Sequence, residues 1–309
     1  MQNKKRVILF GSTGMMGNYV RYVLKHHDLH IINRNKFDAN ADSFEKLSGL
    51  VKNLEPNADT TFINCIGAIP QKDYNAHVYK NINQELPHLI NRVRKEYNSK
   101  FIHITTDCVF SGEAGNYNEN SVHDGDTVYG QTKSKGEPND CTVIRTSIIG
   151  EENLNKKSLL EWVISQKNNT IQGFTDHLWN GITCYQLALI IDQMIRENIY
   201  WEGVRHIFSP NVVSKYDLCK NISEVYDLNI NVEKNETEKC NRTLTSVYRK
   251  IFNIPCIQDQ IVAQKGKIRK IVTITGIRPD FIRMSEIFKK LDQNFDHILI
   301  HTGQHYDNT

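Results

Sequence analysis

The chain has 309 residues, enough to bury a full core and, on length alone, to form about two domains. Its 38 Lys and Arg against 35 Asp and Glu give a formal charge of +3, too small and too dispersed for a nucleic-acid surface, which leaves small anionic molecules as the expected partners. The cysteines (Cys65, Cys108, Cys141, Cys184, Cys219, Cys240, Cys256) show no CxxC spacing, so neither a metal site nor a disulfide framework is expected, and a reducing cytoplasm fits.

The polar stretch Met1 to Arg6 runs straight into a strand, so no signal peptide is expected, and no apolar run approaches the ~20 residues of a membrane span. Arg6 to Phe10 (RVILF) predicts a buried parallel strand, followed at once by Gly11-Ser12-Thr13-Gly14-Met15-Met16-Gly17 and a helical pattern. Between a strand and a helix the glycines have separate tasks. Gly11 permits the tight turn, Gly14 lets backbone approach a pyrophosphate, and Gly17 allows the helix to pack closely. The run reads as a dinucleotide cradle.

The next strand, Leu29 to Ile32, ends in Asn33-Arg34-Asn35-Lys36. An acidic residue would normally meet a ribose 2′-hydroxyl there. Arg34, helped by Lys36, instead suits a 2′-phosphate and favours NADPH, with NADH as the alternative. Exposed side chains with no ligand are the competing reading. Asp38 is a candidate acceptor for an adenine amino group. Thr61 to Ile66 predicts another strand, whose exit at Cys65, Gly67 and Ala68 has the small residues that leave room for a nucleotide. A helix is expected over Val78 to Tyr97 with Asn83 facing inward, then a strand over Phe101 to Thr105 with Thr106 at its exit. In Tyr129-Gly130-Gln131-Thr132-Lys133 a phenol and an ammonium four residues apart share one helix face, so the lysine charge is expected to lower the phenol pKa.

These motifs, with Asn64-Cys65-Ile66-Gly67-Ala68, Thr105-Thr106-Asp107-Cys108-Val109-Phe110-Ser111-Gly112, Gly136-Glu137 and Arg145-Thr146-Ser147, resemble the extended short-chain dehydrogenase superfamily, in the branch typified by dTDP-4-dehydrorhamnose reductase, over about residues 5 to 262. The resemblance implies an α/β fold: a Rossmann-type doubly wound parallel sheet over 1–150 holding NADP and the catalytic residues, interleaved with a smaller substrate lobe over 151–264. It also implies Thr106 as the hydroxyl polarising a ketone, Tyr129 as the acid, and Lys133 as the group that tunes Tyr129 and holds the nicotinamide ribose. Asp107, Val109 and Phe110 fall on the substrate side. The implied substrate is a UDP- or dTDP-linked 4-keto-6-deoxyhexose.

Cys108 lies where a resemblance to GDP-fucose synthase would place a proton-abstracting cysteine, with Lys156 or Lys157 supplying a cation. A small buried hydrophobe is the alternative. From about Glu151 the strand and helix alternation loosens. Helices are expected at Leu159 to Ser165 and Tyr185 to Arg196. Gly173 to Gly181 carries Trp179 and His177 as sugar or base contacts, or equally as packing residues, and Arg242 is a candidate for the diphosphate.

After Lys265 the chain restarts: a strand at Lys270 to Thr275, then Gly276-Ile277-Arg278-Pro279-Asp280, a helix to Leu291, and a strand at His297 to His301. This tail resembles the opening of UDP-N-acetylglucosamine 2-epimerase, with Arg278 matching a nucleotide-contacting arginine; an ordinary last βα unit is the other reading. Such a fragment, about 40 residues, is too small to fold alone. Its presence points to a UDP-linked 2-acetamido-2,6-dideoxyhexose, such as UDP-N-acetyl-L-rhamnosamine for surface glycans, with a 4,6-dehydratase and a 2-epimerase as pathway partners and a homodimer as the assembly. A regulatory nucleotide-binding subunit is the expectation from a different class. A dehydratase is disfavoured because Asp107-Cys108 stands where those enzymes carry Asp-Glu.

Overall fold

The computed structural model describes residues 4–72, 74–153, 156–268, 270–276, 282–294 and 296–302. The chain divides into two units, Met1–Gln264 and Lys265–Thr309. The first half of unit one runs β1 (Arg6–Phe10), α1 (Met15–Val23), β2 (Asp28–Ile32), α2 (Phe44–Lys52), β3 (Thr61–Asn64), α3 (Ala76–Tyr79), α4 (Leu86–Lys95), β4 (Lys100–Thr106), α5 (Val128–Lys135) and β5 (Thr142–Thr146). The rest adds β6 (Ile148–Ile149), α6 (Leu159–Ser165), β7 (Thr170–Phe174), β8 (His177–Trp179), β9 (Ile182–Thr183), α7 (Cys184–Glu197), β10 (Gly203–His206), β11 (Val213–Ser214), α8 (Lys215–Tyr226), β12 (Asn231–Asn235), β13 (Cys240–Asn241) and α9 (Ile257–Gln264).

β1, β3 and β5 are buried at almost every position, so both faces of the sheet must be covered, and a parallel arrangement follows. Six strands pair in the order β10-β5-β4-β3-β1-β2, all parallel. The protein is thus an α/β, Rossmann-type doubly wound sheet. The chain steps from β1 outward to β2 and then crosses back to β3, so the direction of winding reverses between β1 and β3. Ligand crevices form outside the carboxyl ends of the strands at such a point. Phe10 and Phe62 stack with ring centroids 6.4 Å apart beneath α2 and α4, which contribute Leu47, Val51, Ile90 and Val93 to the same core.

The single helix expected over Val78 to Tyr97 is instead three pieces, because Pro87 lacks the N–H that would bond the Asn83 carbonyl and its ring crowds that carbonyl. The chain widens into a π-helical turn over Lys80–Glu85, and Asn83 sits on it, buried.

The substrate half is not separate from the sheet, since β10 returns to pair with β5. Its own strands form small sheets, β11-β8-β13, β12-β7 and β6-β9, packed around a core of Leu160, Trp179, Leu218, Ile222 and Ile257. In unit two β14 (Lys270–Thr275) and β15 (Asp296–His301) pair in parallel around the helix Ser285–Asn294, a single βαβ motif. Arg278 lies outside the described residues. Among the described residues no helix is long and apolar enough to cross a membrane.

Candidate active site

Each part of the site hangs on a strand end. After β1, Gly11 adopts a φ of +80°, and a Cβ on Gly17 would sit 2.0 Å from the Gly11 carbonyl oxygen, so the turn and the start of α1 close only with glycine at both positions. Gly14 differs. A Cβ there would meet only the Gly11 carbonyl oxygen at 3.6 Å, and Gly14 caps α1 with no side-chain hydrogen bond. The first amides of α1 are therefore left to a ligand or water, and the space beside Gly14 is open to one. Ser12 is buried in the turn, Thr13 and Met15 lie on it, and Thr13 O accepts from Asn18 at 3.2 Å. Met16 is buried beneath it.

At the end of β2, Arg34 Nε donates to Asp38 Oδ2 at 3.1 Å, and the Arg34 side chain is 78% exposed. Asp38 Oδ1 accepts from Asn40 N at 3.0 Å. The carboxylate expected to reach an adenine is thus engaged by Arg34 and the following turn. Lys36 Nζ turns back to Ile31 O at 3.1 Å. After β3, Asn64 Oδ1 accepts from Ile66 N at 3.0 Å and ends the strand two residues before its expected limit. Asn83 exchanges two hydrogen bonds with Ala68, at 2.8 and 2.9 Å, which fixes the loop carrying Cys65, Gly67 and Ala68.

The catalytic candidates converge at the end of β4. Thr106 Oγ1 donates to Asp107 Oδ1 at 3.2 Å and accepts from Cys108 N at 3.1 Å, and its hydroxyl lies beside the Tyr129 phenol. Tyr129 reaches it because α5 lies directly on the Cys108 turn; a Cβ on Gly130 would stand 2.2 Å from the Cys108 carbonyl oxygen. Thr127 caps α5 by accepting from Gly130 N at 3.0 Å. Tyr79 meets the Tyr129 ring edge-on with centroids 6.5 Å apart. Lys133 is 5% exposed and its Nζ donates to Ile104 O at 3.0 Å.

The electrostatics correct one expectation. Burial, with the neighbouring Cys108, pushes the Tyr129 phenol above its ordinary value; the nearby Thr106 hydroxyl opposes this only in part. Burial lowers the Lys133 ammonium to about 8. The i, i+4 spacing does put both groups on α5, but Lys133 is turned toward Ile104 O and does not depress the phenol. Tyr129 stays protonated, as a proton donor must.

Asp107 is buried beside Thr106 and its carboxyl is raised by burial, opposed by Arg242, the nearby Ser147 hydroxyl, and Lys215. Cys108 Sγ lies 3.7 Å from Asp107 Oδ1, and burial and that carboxylate push its thiol up to about 12. The cations expected beside it are elsewhere: Lys157 Nζ donates to Gln71 O at 3.2 Å, and Lys156 Nζ lies 4.0 Å from Glu161. Those that face Cys108 are Arg242 and Lys215.

Arg242 was expected at a diphosphate, but its Nε and Nη2 donate to Phe110 O and Ser111 O, both at 3.1 Å, so its fork secures the loop after β4. Val109 and Phe110 back the site without lining it. Both are buried with Tyr117 and Leu244, and Phe110 stacks on Tyr117 at 4.3 Å. Trp179 is likewise buried, with Lys215 Nζ over its ring at 5.2 Å. Lys215, which the sequence offers as part of a loop entering a helix and not as a site residue, lines a cavity of about 610 Å³ together with Trp162, Phe174 and His177.

Three remaining groups that could hold a metal, His26, His27 and Asp192, bring ring nitrogens and a carboxylate oxygen within 4.8 Å. His27 Nδ1 accepts from Lys5 N at 3.3 Å, so a neutral ring carries its proton on Nε2 and donates to Asp192 at 3.1 Å. The cluster is satisfied as a hydrogen-bonded group.

The family model described as RmlD substrate binding domain matches residues 5–247. Among solved structures, the chain is similar to dTDP-4-dehydrorhamnose reductase from Bacillus anthracis in complex with NADP (18% identity, 84% of this chain and 98% of that one, TM-score 0.72) and to a GDP-mannoheptose C4 reductase from Campylobacter jejuni with NADP bound (12% identity, 85% and 98%, TM-score 0.67). Among curated proteins, it is 22% identical to methionine adenosyltransferase 2 subunit beta of Danio rerio over 72% of this chain and 75% of that protein. A stretch of 38 residues is 55% identical to a UDP-N-acetylglucosamine 2-epimerase homologue of Methanococcus maripaludis, 12% of this chain and 11% of that protein's length.

Proposed function

Because the chain belongs to the RmlD substrate binding domain family, we propose that it is an NADPH-dependent reductase acting on the 4-keto group of a nucleotide-linked 6-deoxyhexose. The observation that carries this reading is the placement of the Thr106 hydroxyl beside the protonated Tyr129 phenol, with buried Lys133 one turn further along α5. Bound at the cradle, the nicotinamide would supply the hydride. Gly11, Gly14 and Gly17 would hold its pyrophosphate, Arg34 its 2′-phosphate, and Lys133 the nicotinamide ribose. Thr106 orients and polarises the ketone oxygen, and Tyr129 donates a proton to it as negative charge develops.

The 2-epimerase-like stretch supports a finer reading: a UDP-linked substrate bearing a 2-acetamido group, converted toward a UDP-N-acetyl-L-rhamnosamine type of product in the cytoplasm, downstream of a 4,6-dehydratase and beside a 2-epimerase. Incubation with UDP- and dTDP-linked 4-ketosugars, followed by loss of reduced-nicotinamide absorbance, tests both levels. Turnover of neither would overturn the proposal. Tyr129→Phe should lower turnover by about 10²-fold or more.

The similarity to methionine adenosyltransferase 2 subunit beta favours one other reading, a nucleotide-binding regulatory subunit. A subunit of that kind would bind NADPH and show no reduction, and Tyr129→Phe would leave its behaviour unchanged.

A further inference from the structure

A second site lies away from the catalytic group, along the outer edge of β10. There a cavity of about 400 Å³ is bounded by Trp201 before the strand, Arg205 within it, and the segment carrying Tyr248, Arg249, Lys250 and Phe252. Thr106, Tyr129 and Lys133 are not among its lining residues. The lining holds three cationic side chains and no carboxylate. Glu119, beside it, is committed to His206 N at 2.9 Å, Ser246 Oγ at 2.6 Å and Val247 N at 2.9 Å. His206 is also satisfied, bonding Thr245 O at 2.8 Å and Arg145 at 3.0 Å.

The donors that remain are arranged as a receptor. Arg205 is held between two rings, its guanidinium carbon 5.1 Å from the Trp201 centroid and 4.5 Å from that of Tyr248. Stacking fixes the plane of the fork and leaves its N–H edge to an acceptor. Trp201 is 8% exposed, and its indole Nε1 is buried without a hydrogen-bond partner among the described residues. Tyr248 is 44% exposed, so ring surface stays available beside Arg205.

We propose that this cavity binds a mononucleotide, with the phosphate on Arg205, Arg249 and Lys250, and the base against Tyr248 and Phe252. Charge-assisted contacts to phosphate explain the clustered cations, aromatic surface suits a base, and the volume falls within the range of small-ligand pockets. The site is independent of the reductase reading.

Titration calorimetry on the full chain with UMP, AMP and inorganic phosphate tests it. Nucleotide binding should weaken tenfold or more in Arg205→Ala and be unchanged in Arg242→Ala, which faces the catalytic site. Because Arg205 bridges two rings, the double variant Arg249→Ala/Lys250→Ala, at exposed positions, serves as a second probe and should weaken binding in the same direction while the melting temperature holds. No binding of either nucleotide overturns the proposal. So does weakening by Arg242→Ala alone, which would put the nucleotide in the catalytic cleft, or phosphate binding as tightly as UMP, which would leave an anion site with no base recognition.

Discussion

Glu137 and Arg145 hold each other through two hydrogen bonds, Arg145 Nε to Glu137 Oε1 at 3.2 Å and Arg145 Nη2 to Glu137 Oε2 at 2.6 Å, with side chains 1% and 6% exposed for Arg145 and Glu137. The pair joins the end of α5 to β5, and Arg145 also bonds His206 and His123 and lies over Phe110. It therefore fixes the helix that carries Tyr129 and Lys133 against the loop that carries Cys108. Glu137→Ala would strand a buried guanidinium, and breaking such a pair costs about 3–5 kcal/mol. The expected result is a fall in melting temperature of roughly 6–20 °C, at about 2–4 °C per kcal/mol for a chain of this size. A change of under about 2 °C by calorimetry would show that Arg145 finds other acceptors.

Lys133 should set the alkaline limit of activity. Its ammonium is held down to about 8, whereas the Tyr129 phenol is raised by burial, so the lysine is the first of the two to lose its proton as pH rises. If the ammonium binds the nicotinamide ribose, kcat/KM stays level below about pH 8 and declines above it. Lys133→Arg, charged at every accessible pH, should carry the limb upward even with lower turnover. The same depression makes this lysine's contribution to stability rise between about pH 8 and 10.4, where the unfolded chain still holds the proton. A pH profile with the same limb in both proteins would assign it to another group.

The strands of the main sheet were legible because strands buried on both faces are continuous apolar runs; Arg6–Phe10 has the expected limits. The break at Pro87 was equally visible, yet apolar periodicity from Val78 to Tyr97 masked it. Gly136-Glu137 and Arg145-Thr146-Ser147 were legible only as marks of resemblance, since their ion pair and the Ser147 contact to Asp107 are tertiary. Lys215 left a local trace. A lysine in the first turn of α8, directly after the Ser214 cap, opposes the helix dipole, and such conflicts tend to fall at functional positions.

Cys108 should be dispensable for reduction. Its thiol is pushed up to about 12 by burial and by Asp107, so very little thiolate exists near neutrality to remove a proton beside the ketone. Cys108→Ala is expected to keep turnover within about threefold of wild type, and reduction in heavy water should place no deuterium on the carbons flanking the ketone. Deuterium incorporation that disappears in Cys108→Ala would instead establish a coupled epimerisation, with Arg242 and Lys215 as the cations that make the thiolate accessible.

Arg34 should decide between the two nicotinamide cofactors, though by a modest margin. Its guanidinium is exposed and shares charge with Asp38 at 3.1 Å, so a 2′-phosphate must compete with that carboxylate and with water. A charged hydrogen bond is worth about 1.5–3 kcal/mol where it is well shielded, and exposure puts this one near the lower end. Arg34→Ala is expected to raise KM for NADPH roughly tenfold and to leave KM for NADH nearly unchanged. Asp38→Asn, which frees the guanidinium, should shift the preference the other way, toward NADPH. Equal efficiencies with both cofactors in wild type and in Arg34→Ala would mean that the end of β2 reads no phosphate.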